Sequence, residues 1–281
     1  MTTTVADVRA AAERLWPAAG AEPWDSVGLI CGEPNATVSS VLLAVDAVID
    51  TVDEALERGA DLLLVHHPLL LRGVTSVAAD RYKGAVLTRL IRGECALFAA
   101  HTNADVVATG TSAVLADRLG LRDVRPLDAR DDGVTGIGRV GVLPEPMSLG
   151  RLAGTLVDLL PPTASGVRGS GEYDRAIRRV ALCAGAGDSF LEHPEVAAAD
   201  VYITADLRHH PASEARENAR ISRGPALLDV SHWASEWLWL AHAAAELAAE
   251  LPDITIEVSD LRTDPWDFAV TGLARQPEPA P

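Results

Sequence analysis

Cysteine is scarce in this chain: there are three among 281 residues. Cys31, Cys95 and Cys183 are odd in number and widely spaced, so they indicate neither a disulfide framework nor a C-x-x-C zinc site. We expect reduced, buried thiols, as in cytoplasmic proteins.

Basic residues are also few, because 24 Lys and Arg stand against 40 Asp and Glu, which gives a net charge of −16. Contact with a nucleic-acid backbone needs clustered Lys and Arg, so direct nucleic-acid binding is not expected. An anionic membrane surface is an unfavourable partner for the same reason. The acidic surface is interpreted mainly as a source of solubility.

Long apolar runs are missing as well. No stretch approaches 18 uninterrupted apolar residues, so no transmembrane helix is predicted. The first seven residues, Met-Thr-Thr-Thr-Val-Ala-Asp, lack the charged and apolar regions of a secretion signal. We therefore expect a cytoplasmic protein, and its 48% hydrophobic content is enough for one large core or two smaller ones.

Apolar strands and helices alternate along the chain, which predicts an α/β fold with largely parallel sheets covered by helices. Predicted strands lie at 41–45, 61–65, 96–100, 139–143, 179–183, 201–204, 226–230 and 254–258. Predicted helices lie at 5–16, 48–58, 81–92, 111–119, 149–160 and 233–251.

The polar, acidic segment 121–136 predicts a boundary between two lobes. The first lobe is predicted over 1–125, with 226–270 completing the fold around the site. The second α/β lobe is predicted over 126–225, and within it 163–174 is expected to be loop. Residues 271–281 have the composition of a disordered tail.

The most informative motif is the pair His66-His67, which ends the apolar run 61–65. With eight histidines in the chain, chance predicts about 0.2 adjacent pairs, yet there are two, the second being His209-His210. At a strand end the backbone can turn, so both imidazoles can reach one pocket or one can serve each of two metals. The alternative is a pair of polar loop residues without a ligand.

Candidate ligands follow three predicted strands: His66 and His67, then His101 and Asp105, then His232 and Glu236. The carboxyl ends of strands in an open α/β sheet are the usual place for ligands, so these side chains are expected to converge. His232 and Glu236 are four residues apart at the start of a helix and share one face. Taken alone, this pair is more often a solvated helix pair, and Asp105 is more often a helix N-cap.

Without His101, the set holds three imidazoles and two carboxylates, which suit Zn, Mn, Fe, Ni or Co better than Ca or Mg. Five ligands are too many for one tetrahedral zinc ion. They suit two divalent metals per subunit, with Glu236 or Asp105 bridging, which is the arrangement of metal-assisted hydrolysis.

The motifs together resemble the Nif-three-like dinuclear-metal family, whose members are called GTP cyclohydrolase I type 2 homologues. The resemblance rests on the segments 24–29, 66–68, 101–105, 183–187 and 231–236, in this order. It implies a two-lobed α/β subunit and a toroidal homohexamer with a dinuclear site facing the central cavity. The metal ligands implied by the resemblance are His66, His67, Asp105, His232 and Glu236.

The resemblance leaves His101 outside the ligand set, as a substrate-facing residue or one that supports a ligand; a hydrogen-bonded loop histidine is the alternative. One of His209 and His210 is expected to approach the metals as an acid/base group or a substrate contact. For the carboxylate of Asp206, capping of a helix is the simpler interpretation.

Ser26, Ala205 and Ser231 depart from the family pattern, which has Asn at the first position and Gly at the other two. A lost glycine could shift a loop if its φ were positive. The chain is also too short for the large domain that some members carry between the lobes.

Two functions from different classes follow. The first is a metal-dependent hydrolase acting on a small molecule, with opening of the GTP imidazole ring suggested only by the family label. The second is a non-enzymatic, metal-dependent ring that binds protein or regulatory partners. Metal storage or delivery is a third hypothesis.

Overall fold

The computed structural model describes residues 2–222 and 224–270. Its helices are α1 (Val5–Leu15), α2 (Ile49–Glu57), α3 (Tyr82–Arg92), α4 (Thr102–Asp105), α5 (Thr111–Arg118), α6 (Leu149–Leu159), α7 (Pro194–Ala197), α8 (His209–Ser222) and α9 (His232–Glu250). Its strands are β1 (Gly28–Cys31), β2 (Ser40–Ala44), β3 (Leu62–Val65), β4 (Ala96–Ala99), β5 (Arg122–Ala129), β6 (Gly136–Ser148), β7 (Arg168–Ser170), β8 (Ala176–Ala186), β9 (Val201–Ala205), β10 (Ala226–Val230) and β11 (Thr255–Val258).

The first sheet has the strand order β1-β4-β3-β2-β11. Strands β4, β3, β2 and β11 are parallel, and β1 is added antiparallel at the edge. Every residue of β3 and β4 is buried, because helices and loops cover both faces of this sheet. Burial on both faces is the reason why these two strands are continuous apolar runs in the sequence.

The second sheet has the order β5-β6-β8-β9-β10-β7. Strands β8, β9 and β10 are parallel, whereas β5, β6 and β7 pair antiparallel with their neighbours. The predicted α/β class with parallel and mixed sheets flanked by helices is confirmed.

Two segments that were predicted to be irregular contain strands. The polar stretch 121–136 holds β5, and the expected loop 163–174 holds the three-residue β7. Both strands lie at edges of the second sheet, so most of their side chains are exposed. An exposed edge strand has no apolar periodicity for a sequence pattern to detect.

The C-terminal part of the described chain contributes to both sheets. β11 pairs with β2 in the first sheet, whereas β10, which the sequence assigned to the first lobe, lies between β9 and β7 in the second. The division into lobes remains a prediction, and the tail 271–281 lies outside the described residues.

Helix α9 lies between the two sheets and contacts β2 and β11 on one side and β8 and β9 on the other. Trp239, at its centre, is fully buried and packs edge-on against Trp16 of the α1 end at 5.2 Å between ring centroids. This position brings the start of α9 to the carboxyl ends of strands from both sheets. No helix in the described ranges combines the length and apolar character that a membrane crossing requires.

Candidate metal centre

His66 and His67 continue the backbone ladder beyond β3. Their amides donate to the carbonyls of Ala44 and Val45 at 3.1 and 2.8 Å. The His66 side chain is fully buried, and that of His67 is 26% exposed. The strand end therefore holds both imidazoles on a rigid backbone.

The hydrogen bonds of His66 determine its tautomer. Its Nδ1–H donates to the carbonyl oxygen of Ala100 at 2.8 Å, because a carbonyl can only accept. Its Nε2 is buried and has no hydrogen-bond partner among the described residues. A buried nitrogen without a partner is costly, and a metal ion bound there would remove that cost.

His67 and His232 are held in the same way. The Nδ1 of His67 bonds Asp46 at 2.7 Å, and the Nδ1 of His232 bonds Asp206 at 2.8 Å. Each carboxylate fixes the ring so that Nε2 points toward the other ring, and the two Nε2 atoms are 3.1 Å apart. A carboxylate on the outer nitrogen is the common support of a metal-binding histidine.

Glu236 lies among these inward-facing nitrogens. Ser231 caps α9, with its hydroxyl accepting from the amide of Ala234, so His232 and Glu236 share one face of the first helical turn. Glu236 Oε1 is 3.0 Å from His232 Nε2, and its Oε2 is 2.9 Å from His67 Nε2. The two oxygens of one carboxylate thus face different imidazoles, which suits a bridging ligand.

Asp105 and His101 approach from the other side of His66. Asp105 Oδ1 lies 3.6 Å from His66 Nε2 and accepts a hydrogen bond from the Thr111 hydroxyl. His101 is bonded through Nδ1 to Asp25 at 2.9 Å, and its ring lies 5.2 Å from that of His66. The imidazole of His101 therefore borders the site and is fixed by its own carboxylate.

Two groups of three side chains have their ligand atoms close enough together to hold an ion. One is His66, His67 and His101, and the other is His67, His232 and Glu236. The predicted convergence of three strand ends is present in the structure. His101, which was left out of the ligand set, lies as close to His66 and His67 as a ligand would. Asp105 belongs to neither group and approaches the cluster at the Nε2 atom of His66.

The charges of the cluster change its acid–base behaviour. Burial lowers the pKa of His67, but Glu236 and Asp46 outweigh it and raise that pKa to about 10. Burial is likewise outweighed at His232, where the Glu236 carboxylate raises the pKa well above its usual value. Burial raises the pKa of Glu236, yet the surrounding imidazoles hold it well below its usual range. Without a metal, protons on the histidines balance the buried carboxylate.

The raised pKa of His67 affects both stability and metal binding. In the metal-free protein its proton stabilises the fold fully below about pH 6.5, where the unfolded chain is also protonated. That stabilisation is lost as the pH rises towards about 10. A first-row cation needs the unprotonated nitrogen, so binding must displace the proton.

We expect metal loading at about pH 7.5 to release at least one proton per chain. Titration calorimetry with Mn²⁺ or Zn²⁺ in two buffers of different ionisation enthalpy measures this number. Equal observed enthalpies in the two buffers would contradict the expectation.

Gly185 is required by the geometry of the centre. Its φ is +70°, and a Cβ at this position would lie 2.2 Å from Glu236 Oε1. Its amide donates to the Ser235 hydroxyl at 2.9 Å. The backbone of β8 therefore passes against the carboxylate, which explains the glycine at position 185.

His209 and His210 begin α8 and are exposed. Their rings contact each other at 5.2 Å between centroids, and neither belongs to the two groups described above. Their role toward the metals remains a prediction. The carboxylate of Asp206 bonds His232, so the alternative interpretation of Asp206 as a helix cap does not describe it. The φ of Asp206 is +59°, a conformation that Asp tolerates better than most residues.

Three carboxylates that hold the histidines were not recognised as site residues: Asp25, Asp46 and Asp206. Asp46 follows β2, the strand next to β3, so the strand-end argument that found His66 could also have found it. Asp25 belongs to the motif at 24–29, and its two oxygens bond His101 and Thr102.

Asp46→Asn is expected to weaken metal binding by about 10- to 100-fold, because it removes the charge that orients His67. Competition with a chromogenic chelator measures the affinity. Asp53→Asn is the matched control, since Asp53 pairs with Arg89 at the surface. Equal affinities of the two variants would show that Asp46 does not support the centre.

A family model described as Duf34/NIF3 (NGG1p interacting factor 3) matches residues 3–265. The chain belongs to the DUF34/NIF3 family. A Streptomyces coelicolor relative named GTP cyclohydrolase 1 type 2 homolog is 47% identical over 270 residues, which cover 93% of each protein. A Mycobacterium tuberculosis relative of the same name is 34% identical, covering 95% of this chain and 98% of that protein. The second alignment runs over 378 positions, so that relative contains residues that this chain lacks.

Solved structures of DUF34/NIF3 proteins share the fold. A Bacillus cereus protein related to NIF3 superposes with a TM-score of 0.85 at 22% identity, covering 96% of this chain and 100% of that one. The Staphylococcus aureus protein SA1388 gives 0.86 at 26% identity with the same coverage. The likeness to the first of these shows the fold alone.

The departures from the family pattern leave the centre intact. Ser231 has a φ of −67°, and Ala205 is not among the residues with positive φ, so neither position needs glycine. The Ser231 hydroxyl instead caps α9 and bonds Asp264. Ser26 donates its amide to the Asp25 carboxylate at 2.6 Å.

Proposed function

We propose that this DUF34/NIF3 protein holds two divalent cations and uses them to hydrolyse a small molecule. The residues that would hold them are His66, His67, Asp105, His232 and Glu236. The observation that carries the proposal is the common orientation of the histidines, whose Nδ1 atoms are bonded outward and whose Nε2 atoms face the buried Glu236.

The donor set fits such ions. Imidazole and carboxylate suit first-row divalent metals, and the unpartnered Nε2 of His66 offers a free lone pair. A pair of such ions supplies a Lewis acid and lowers the pKa of water to near neutrality. Which metal is bound depends on the ions available in the cell as much as on the ligands of the site.

The chain's own groups then have distinct tasks. Glu236 links the His67 and His232 sides of the centre, and Asp105, fixed by the Thr111 hydroxyl, orients a group next to His66. His101, whose Nδ1 bonds the carboxylate of Asp25, would take up or deliver a proton at the border of the centre. The half-buried position of His67 leaves access for a substrate.

Assays with nucleotides, phosphoesters and small amides test the proposal, using protein loaded with Zn, Mn or Fe. GTP belongs in the panel because the relatives are named GTP cyclohydrolase 1 type 2 homolog. We expect turnover that chelation removes and metal restores. Fully loaded protein without turnover, together with a reproducible protein partner, would favour the non-enzymatic binding role.

The homohexamer implied by the family resemblance is part of the proposal. Its native mass would be about six times 29.6 kDa, which light scattering after gel filtration measures. The cytoplasmic location likewise remains a prediction.

A further inference from the structure

A cavity of about 730 Å³ opens beside the candidate metal centre. His67 and His232 form part of its wall, together with the carboxylates that hold them, Asp46 and Asp206. The volume lies within the range of about 300–1,000 Å³ that is typical of small-molecule pockets. A molecule in this cavity would therefore be in reach of the histidines.

The wall of the cavity is rich in aromatic side chains. The chain has only twelve Phe, Trp and Tyr residues, yet Trp233, Trp266 and Phe268 all line this one cavity. Trp266 and Phe268 are 65% and 79% exposed, so they are not part of the core. Large exposed aromatic side chains that gather at a pocket mark a binding surface more often than a packing need.

Carboxylates outnumber Lys and Arg in the described wall of the cavity. Asp46, Asp206 and Asp264 line the cavity, and Arg168, the one Lys or Arg side chain of its wall among the described residues, is paired with Asp229. Fixed carboxylates repel a ligand that carries several negative charges. The described residues of this wall include no cluster of Lys and Arg that could hold a chain of phosphates.

We infer that the cavity selects a planar heteroaromatic substrate of low negative charge and places one of its rings against Trp266 and Phe268, beside His67 and His232. The inference rests on the proposed function, because it names the substrate class of the same centre. Aromatic rings favour stacked or edge-on contacts with other flat rings, and a saturated ring of equal size cannot make them.

Matched pairs of neutral probes test the inference on metal-loaded, full-length protein. The pairs are benzamide with cyclohexanecarboxamide, and uridine with 5,6-dihydrouridine. Titration calorimetry is expected to show binding about three- to tenfold tighter for the planar member of at least one pair. Uridine is also expected to bind more tightly than its 5′-triphosphate, with the metal content checked after each titration.

Phe268→Ala is expected to remove the preference for the planar probe without changing the metal content or the native mass. Val270→Ala is the control, because Val270 is exposed on the same segment but does not line the cavity. Trp266→Ala provides an independent second variant.

The inference is overturned if neither pair shows a planar preference, if Phe268→Ala and Val270→Ala behave alike, or if the triphosphate binds more tightly than uridine. A changed native mass of Phe268→Ala also overturns it, because the aromatic residues would then bind another copy of the chain. Failure of the proposed function is distinguishable: wild-type protein would then hold no metal, or would hold metal without turnover, whereas the planar preference could still be measured.

Discussion

Glu236→Gln is expected to reduce the metal content from about two ions per chain to less than one and to lower hydrolysis by at least about 100-fold. Glu236 is buried, and its two oxygens face His67 and His232 at 2.9 and 3.0 Å. An amide of the same shape keeps the volume but loses the charge and one acceptor oxygen. Elemental analysis after dialysis and the hydrolysis assay measure the two effects.

The same helix offers a matched control for this variant. His242 and Glu246 have the same spacing on α9, with 3.4 Å between Nε2 and Oε1, but lie away from the strand ends. Glu246→Gln is expected to leave metal content and activity unchanged. If both variants retain their metal, Glu236 is not a ligand and the proposed centre is wrong.

Gly185→Ala is expected to lower metal affinity at least about tenfold and to reduce the free energy of unfolding by about 1–2 kcal/mol or more. The stability loss follows from the positive φ at position 185. The affinity loss follows because the added Cβ would clash with Glu236 Oε1. The end of the Glu236 side chain can move aside, but this movement withdraws the oxygen from His232.

Gly120→Ala separates these two effects. Gly120 has nearly the same φ, +67°, and a Cβ there would meet nothing within 4 Å. This variant is expected to lose about 1–2 kcal/mol in denaturant unfolding and to bind metal like the wild type. Equal metal affinity of Gly120→Ala and Gly185→Ala would contradict the role given to Gly185.

The residues of the cluster could be predicted because each follows or lies close to the end of an apolar strand. Topology brings the ends of β3 and β4 to one edge, so His66 and His101 converge whatever the loops between them do. His232 and Glu236 follow from helical spacing alone. The motifs at these positions also carry the family resemblance, which the comparisons confirm.

The bonds between the supporting carboxylates and the histidines could not be predicted with the same ease, although the strand-end argument applies to Asp46 as well. Asp46 and His67 are 21 residues apart, and Asp25 and His101 are 76 apart, and each bond depends on how a loop turns after its strand or motif. The aromatic residues of the cavity wall could not be predicted either, because Trp266 and Phe268 lie in an irregular segment without periodicity. Edge strand β5 was missed because its exposed charges resemble a linker.

The position of α9 explains why two sheets produce one site. Its contacts with both sheets fix His232 and Glu236 against His67. Fully buried Trp239 anchors the helix one turn beyond Glu236. The packing of α9 therefore holds His232 and Glu236 in place at the centre.

Anomalous diffraction from crystals of the metal-loaded protein, recorded at the absorption edge of the bound metal, is the most direct measurement. We expect two peaks about 3.5–4 Å apart, both within the cluster of His66, His67, Asp105, His232 and Glu236. A single peak, no peak, or peaks beside His209 and His210 would contradict this expectation.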